Sequence, residues 1–373
     1  MNTVFSEVNK RFGFGCMRLP MKDGRVDEEE FSEMIRIFLE HGYNYFDTAH
    51  GYIGGQSETA IKNCLTSRYS RDRYILTDKL TGPYFEKEED IRPFFESQLK
   101  ACGVEYFDFY LMHAQNARVY EKFKACRAYE TALSLRDEGK IRHFGISFHD
   151  SAEVLDRILT EYPQIEAVQI QFNYADYEDP MVQSRLCYEV CVKHGKPVIV
   201  MEPVKGKSLA LLPPFAEKVL NDLPRTGSNA YYALRFAAHF KNVFMVLSGM
   251  SNVAQMSENV VTMDQPEPLT ETEIEALKKV CAVLHAEDMI ACTACRYCTD
   301  GCPMHILIPD LFAAMNSKMI FHDWNQNFYY REVLTSKNGK ASDCIKCGLC
   351  ELSCPQKLPV RDLLTKVAAE FEK

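Results

Sequence analysis

No apolar run in this 373-residue chain approaches the roughly 18 residues that a membrane-spanning helix needs. The N-terminal stretch MNTVFSEVNKRFGFG lacks the apolar core of a secretory signal, so a cytoplasmic location is expected. An excess of basic charge is missing too. Against 43 Lys and Arg stand 52 Asp and Glu, a formal net charge of −9, with the two signs interspersed. That argues against nucleic acid as the main partner and against an anionic membrane surface, both of which reward a basic face. There is no low-complexity segment. There is no repeat beyond an alternation of strand-like and helix-like segments and one doubled cysteine pattern.

Cysteine is plentiful, at fifteen, but its distribution is not that of a disulfide scaffold. Eight lie in two compact groups near the C-terminus and seven are scattered. In a cytosolic chain the grouped cysteines read as metal ligands and the scattered ones, Cys187 and Cys191 among them, as small core residues.

From Arg11 to Val261 the pattern is strand, then helix, eight times. The strand-like runs are RFGFGCMRL, YNYFDT, YILTDKL, FDFYLMH, HFGIS, AVQIQF, PVIVMEP and VFMVLSG. Helical spacing follows each; in EEEFSEMIRIFLEHG the apolar residues fall at Phe31, Ile35, Phe38 and Leu39 before Gly42. After the fourth strand a single helix is expected from Lys124 to Glu138. Several strands are continuous apolar runs, as when both faces of a parallel sheet are buried. Eight such units in about 250 residues predict an α/β fold of the (β/α)₈ TIM-barrel type. A dinucleotide-binding open sheet would need a glycine fingerprint, and RFGFGC supplies only its first two glycines, Gly13 and Gly15, with no helix directly after.

Asp264 to Thr270, DQPEPLT, reads as a linker, and ETEIEALKKVCAVL as one amphipathic helix with Thr270 and Glu273 as a capping box. The expected organisation is a barrel over 1–263, a linker and helix over 264–287, and a small, mainly helical ferredoxin-like domain over 288–373.

That last region carries Cys292, Cys295, Cys298 and Cys302 in CTACRYCTDGCP. It also carries Cys344, Cys347, Cys350 and Cys354 in CIKCGLCELSCP. Both obey C-x₂-C-x₂-C-x₃-C-P, the run that holds [4Fe–4S] clusters in bacterial ferredoxins. Two-residue gaps let the chain curl around a cube of iron and sulfide, and the C-P step sends the fourth cysteine away. Zinc sites use two pairs of ligands and leave the third cysteine and the repeated C-P unexplained. Two [4Fe–4S] clusters are therefore expected. In two-cluster ferredoxins the fourth cysteine serves the neighbouring cluster. The expected sets are thus Cys292, Cys295 and Cys298 with Cys354, and Cys344, Cys347 and Cys350 with Cys302. The runs are separated by a long insertion, Met304 to Asp343, with two helix-like stretches. Its Trp324, the single tryptophan, reads as helix packing.

Parallel barrels place chemistry at the C-terminal ends of their strands. Those ends carry Asp47, Lys79, His113, Ser147, Gln169 with Gln171, Glu202, and Ser248 with Gly249, and Tyr52 closely follows Asp47. DTAHGY followed by GGQSE resembles the D-T-A-x-x-Y…G-x-S-E signature of the aldo/keto reductases. LTDKL, FDFYLMH, GISFHD, VQIQFNY and SGMSNVAQMSEN resemble further strand ends of that family, over essentially the first 260 residues. With its cysteine tail, the chain resembles the branch fused to a ferredoxin-like domain.

The resemblance implies a catalytic set of Asp47, Tyr52, Lys79 and His113. Tyr52 would be the general acid and Lys79 would lower its pKa. Asp47 would hold Lys79, and His113 would orient the substrate carbonyl. It implies NAD(P)H contacts from Ser147, Gln169, Met201, Ser248, Gly249, Ser251 and Asn259. Phe148 stands where the family often has asparagine, and Met201 where it has an aromatic residue. The loop after the eighth strand contains no Lys or Arg to grip a 2′-phosphate, so NADH is slightly favoured, although Lys205 and Lys207 follow the seventh strand. His50 and His149, near the same rim, are possible substrate contacts.

The expected function is nicotinamide-dependent reduction of an aldehyde or ketone, or its reverse, with clusters for electron transfer or redox sensing and a redox partner protein in that case. The alternative is an electron-transfer iron–sulfur protein whose barrel serves for docking. Hydride transfer moves two electrons and each cluster one; no flavin site to bridge them is readable.

Overall fold

The computed structural model describes residues 5–373 apart from 181, 225–226, 285–288, 291, 293, 295, 323 and 355. Eight parallel strands close into a barrel: β1 (Phe12–Gly15), β2 (Tyr45–Asp47), β3 (Ile75–Leu80), β4 (Phe107–Gln115), β5 (Ile141–Phe148), β6 (Ala167–Gln171), β7 (Val198–Met201) and β8 (Val243–Ser248). Neighbours in sequence are neighbours in space, and β1 closes on β8 with Phe14 opposite Ser248. Gly13 matters here for packing: a Cβ on it would lie 2.5 Å from Leu247 Cδ2. Gly13, the first glycine of RFGFGC, thus serves the barrel interior. Phe5, Val8, Tyr45, Phe109, Phe244 and Leu247 belong to one buried cluster there.

The helices form where the apolar spacing places them. In Glu28–Glu40, Asp27 caps the start by accepting from the N–H groups of Glu29 and Glu30, and Phe31, Met34, Ile35, Phe38 and Leu39 are buried. The expected single helix over 124–138 is instead two, Ala117–Ala125 and Ala128–Asp137, because Arg127 adopts a left-handed conformation (φ 51°). A short hairpin, Met21–Lys22 with Arg25–Val26, and a helix, Pro214–Asn221, were not anticipated. The capping box forms: Glu273 accepts from the Thr270 N–H at 2.7 Å, and Thr270 Oγ1 accepts from the Glu273 N–H at 3.2 Å. Its helix, Glu271–Leu284, shares a core with Leu209, Leu212 and Leu220 on the barrel side.

The C-terminal region is helical and has its own core, in which Cys298 and Cys350 lie beside Ile308, Phe312, Val360 and Leu364. Its main helices are Ile308–Phe321 and Val360–Phe371. No helix among the described residues is long and apolar enough to cross a membrane.

Candidate active site and cluster sites

Three strand ends build the centre of the barrel mouth. Asp47 ends β2, and Lys79 lies on β3 one residue before its end; both are buried. The Lys79 ammonium donates to Asp47 Oδ1 at 2.6 Å, to the Thr48 carbonyl at 2.7 Å and to Tyr52 Oη at 3.2 Å. Gln169, on β6, donates to the other Asp47 oxygen at 3.2 Å. Tyr52 reaches Lys79 because the chain turns tightly after β2, where the Tyr52 N–H donates to the Ala49 carbonyl at 3.0 Å; Gly54 and Gly55, in the left-handed region (φ 61° and 88°), turn the chain on into the next helix. The His113 ring, near the end of β4, lies 6.0 Å from that of Tyr52. Its Nδ1 is hydrogen-bonded to Thr81 Oγ1 at 2.8 Å, which leaves Nε2 for a ligand.

Burial acts on each group. It pushes Lys79 down, but the Asp47 carboxylate, with the hydrogen bonds to Asp47 and Tyr52, outweighs it and holds the ammonium protonated. It pushes Asp47 up, against Lys79 and Gln169. For Tyr52 burial outweighs the pull of Lys79, and the phenol sits above its ordinary value. Lys79 lowers the value as expected, but desolvation of the phenolate exceeds that attraction, and Tyr52 keeps its proton at neutral pH. Burial also drives His113 well below its ordinary value, with Lys79 adding to the effect, and drives His149 to about 4.

The sign of the pH dependence follows. Both imidazoles are neutral from neutrality down past the usual histidine range, so a reaction at this site should show no step in kcat/KM near pH 6.5. A pH–rate profile checks this. A sigmoidal change centred there would mean that one of the two rings titrates normally.

Tyr52, His113, Ser147, Gln169 and Met201 line a cavity of about 270 Å³. It adjoins a cleft of about 850 Å³ lined by Ser248, Gly249, Ser251, Gln255, Glu258 and Asn259, and Arg18, Gly206, Gly249 and Trp324 line both. All seven residues expected at the dinucleotide thus line one of these two connected spaces. Several are already held: Ser147 Oγ accepts from the Ala114 N–H, Asn259 donates to Ser248 Oγ, and Ser251 Oγ donates to the Arg18 carbonyl. Arg18 pairs with Glu202 at 3.0 Å, and Lys205 with Asp176 at 2.6 Å in full burial.

His50 is not among the lining residues described: its Nδ1 is bonded to Glu58 at 2.8 Å. His149 does line the cavity, and no partner is described for its buried Nδ1. Trp324, expected in helix packing, is 52% exposed and stands with Asn325 and Phe328 at the cavity. The aromatic content of the insertion was the only signal of this, and spacing alone does not tell a packing ring from a wall.

The two cysteine runs have matching backbones. Ala294, Arg296 and His305 are left-handed in the first, and Lys346, Gly348 and Lys357 at the same offsets in the second. One small cavity is lined by Cys344, Cys347, Cys350 and, from the other run, Cys302. The second is lined by Cys292, Cys298 and, again from the other run, Cys354. Cys295 lies outside the described residues. Three local thiols plus one distant thiol is the donor set of a two-cluster ferredoxin, and the residues fit that group. The scattered cysteines Cys16, Cys64, Cys102, Cys126, Cys187 and Cys191 are buried, and Cys281 partly so.

Comparison with known proteins agrees with this geometry. Residues 291–359 match the 4Fe-4S dicluster domain, and residues 11–282 match the aldo/keto reductase family. L-galactose dehydrogenase of Arabidopsis thaliana is 26% identical over 294 residues, covering 71% of this chain and 89% of that protein. 4-dihydromethyl-trisporate dehydrogenase of Mucor mucedo is 28% identical over 191 residues, covering 44% of this chain and 56% of that protein. Among solved structures, a Bacillus halodurans aldo-keto reductase in its holo form superposes with a TM-score of 0.59 at 25% identity, covering 74% of this chain and 94% of that one. An aldo-keto reductase from Klebsiella pneumoniae in complex with NADPH shares the fold at a TM-score of 0.57 and 18% identity, covering 72% and 90%. The chain belongs to the aldo/keto reductase family and carries a 4Fe–4S dicluster domain behind its barrel.

Proposed function

We propose that the protein reduces an aldehyde or ketone with a nicotinamide dinucleotide, or runs the reverse reaction. The observation that carries this is the Asp47–Lys79–Tyr52 chain of hydrogen bonds at a cavity continuous with a dinucleotide-sized cleft. Ser147, Gln169 and Met201 would hold the nicotinamide, which when bound would supply the hydride. Tyr52 gives the proton from Oη to the carbonyl oxygen. Lys79 stabilises the phenolate left behind, Asp47 holds Lys79, and His113 Nε2 orients the carbonyl. Ser248, Gly249, Ser251 and Asn259 hold the rest of the dinucleotide.

Two [4Fe–4S] clusters would be held by Cys292, Cys295 and Cys298 with Cys354, and by Cys344, Cys347 and Cys350 with Cys302. They supply one-electron transfer, with a redox partner protein as the other party. The division at 263/264 and 287/288 follows the linker and the start of the cysteine-rich region. The test is direct: purified holoprotein should oxidise the nicotinamide on addition of an aldehyde alone. A strict need for an external electron carrier would favour the reading in which the barrel only docks.

NADH should bind at least as tightly as NADPH. Glu258 lines the cleft, Arg18 is paired with Glu202, and Lys205 is buried against Asp176, so among the described lining residues a 2′-phosphate meets a carboxylate and, of the lysines and arginines, just Lys207 exposed and outside an ion pair with Glu202 or Asp176. Titration of both cofactors checks this, and a clear NADPH preference would contradict it.

A further inference from the structure

The insertion between the two cysteine runs does not stay in the iron–sulfur half of the chain. Its 14-residue helix, Ile308–Phe321, is about 21 Å long. It begins at Ile308, which lines both cysteine cavities. It ends at the dinucleotide cleft, lined there by Ile320, Phe321 and His322. His322 is left-handed (φ 47°), the chain turns, and Trp324, Asn325 and Phe328 reach the cavity beside Tyr52 and His113.

Several contacts fix this segment to the barrel. Tyr329 is 1% exposed and lines a gap with Phe148, His149 and Cys187. The Phe321 carbonyl accepts from Ser208 Oγ at 2.8 Å, and the Lys205 ammonium lies 4.7 Å from the centre of the Phe321 ring. Arg118 pairs with Glu332. Trp324 and Phe328 are different, since both keep part of their surface open at the cavity. Anchored backbone with large rings left open is what a ligand wall requires.

We propose that this insertion is the substrate-selecting wall of the barrel, and that it selects uncharged carbonyl compounds bearing an aromatic ring. The proposal rests on the carbonyl-reductase reading. Met17, Met201, Leu247, Trp324 and Phe328 give the cavity apolar, polarisable sides that suit a flat ring. Its carboxylates are charge-paired, Asp47 with Lys79 and Glu202 with Arg18, so the described lining offers an anion no spare cation. Arg18, the one lysine or arginine among the described lining residues, is engaged with Glu202. His149, 5.4 Å from the Phe328 ring, adds a neutral hydrogen-bonding group and no charge. Specificity would then reside in the same segment that joins the two cluster motifs.

The test uses holoprotein with NADH and three aldehydes: benzaldehyde, propanal and the anion glyoxylate. Wild-type kcat/KM should favour benzaldehyde over propanal by roughly 10-fold or more, the scale at which apolar pockets discriminate, with glyoxylate poorest. The Trp324→Ala/Phe328→Ala double variant should bring benzaldehyde and propanal close to parity at unchanged iron content, and Trp324→Phe should keep the preference. A wild type that prefers glyoxylate or shows no preference, or a double variant with the wild-type ratio, overturns the proposal.

A second readout needs no turnover. Trp324 is the only tryptophan, so benzamide, an uncharged and non-reducible ring compound, should change its emission saturably while acetamide does not. If benzamide acts but no aldehyde is reduced, the wall stands and the reductase reading falls. If aldehydes are reduced but benzamide has no effect, the reverse holds.

Discussion

Replacing Tyr52 by phenylalanine should lower carbonyl reduction at least about 10²-fold, or about 2.7 kcal/mol of transition-state stabilisation. The substitution removes one oxygen and keeps the ring. That oxygen is the hydroxyl within 3.2 Å of Lys79, and it carries a proton because burial holds its pKa up. Water entering in its place would lack that fixed position. The ammonium of Lys79 keeps its bonds to Asp47 and to the Thr48 carbonyl, so the ion pair survives. Dinucleotide affinity should change little, because the cleft that holds most of the dinucleotide does not include Tyr52. Steady-state rates together with an NADH titration separate the two effects. Lys79→Met would be a less clean experiment: it leaves Asp47 as an unpaired buried carboxylate, a fault that costs several kcal/mol of stability in its own right. A Tyr52→Phe protein with wild-type rates would show that another group gives the proton.

The positions of Asp47, Lys79 and His113 were legible because a parallel barrel turns one-dimensional order into a ring of strand ends. Apolar runs of four to nine residues mark those ends well. Asp47 and Lys79 stand 32 positions apart in the chain, yet β2 and β3 are neighbours in register. The cysteine runs were legible for another reason: their spacing is set by the geometry of a cluster and owes little to the surrounding fold. What escaped notice depends on long-range packing. Arg127 breaks the helix after β4 through one backbone angle, which no periodicity encodes. The net rise in the Tyr52 pKa needs a measure of enclosure that a motif does not contain. Trp324 and Phe328 approach Tyr52 across more than 270 positions of sequence, through a helix whose apolar pattern suits packing equally well. Tyr329, five positions after Trp324, is buried, so neighbours of the same chemical type have opposite fates in one short segment.

Cys302→Ala should remove or destabilise the cluster held by the second cysteine run before the one held by its own. Cys302 belongs by sequence to the run that begins at Cys292, but it lines the cavity of Cys344, Cys347 and Cys350. Cys354 crosses in the opposite sense to the cavity of Cys292 and Cys298. The crossing follows from the chain path. After three thiolates wrap one cube, the short turn of Tyr297–Asp300 and the C-P step carry the fourth cysteine toward the neighbouring cavity, and Leu349–Leu352 does the same in the second run. Ile308 lines both cavities, so the two clusters would sit side by side with the apolar core between and below them. A cluster left with three thiolates exposes one iron to water or to an exogenous ligand. It should then be lost, with iron per chain falling toward half, or shed a single iron to a three-iron form, with iron per chain falling by about one eighth. Cys354→Ala should give the mirror result, sparing the second run. The two variants are told apart by which run becomes alkylatable: Cys302→Ala should expose Cys344, Cys347 and Cys350 to iodoacetamide and leave Cys292 and Cys298 protected. Alkylation of Cys292 and Cys298 in that variant, with the second run protected, would mean that each run of four closes on its own cluster.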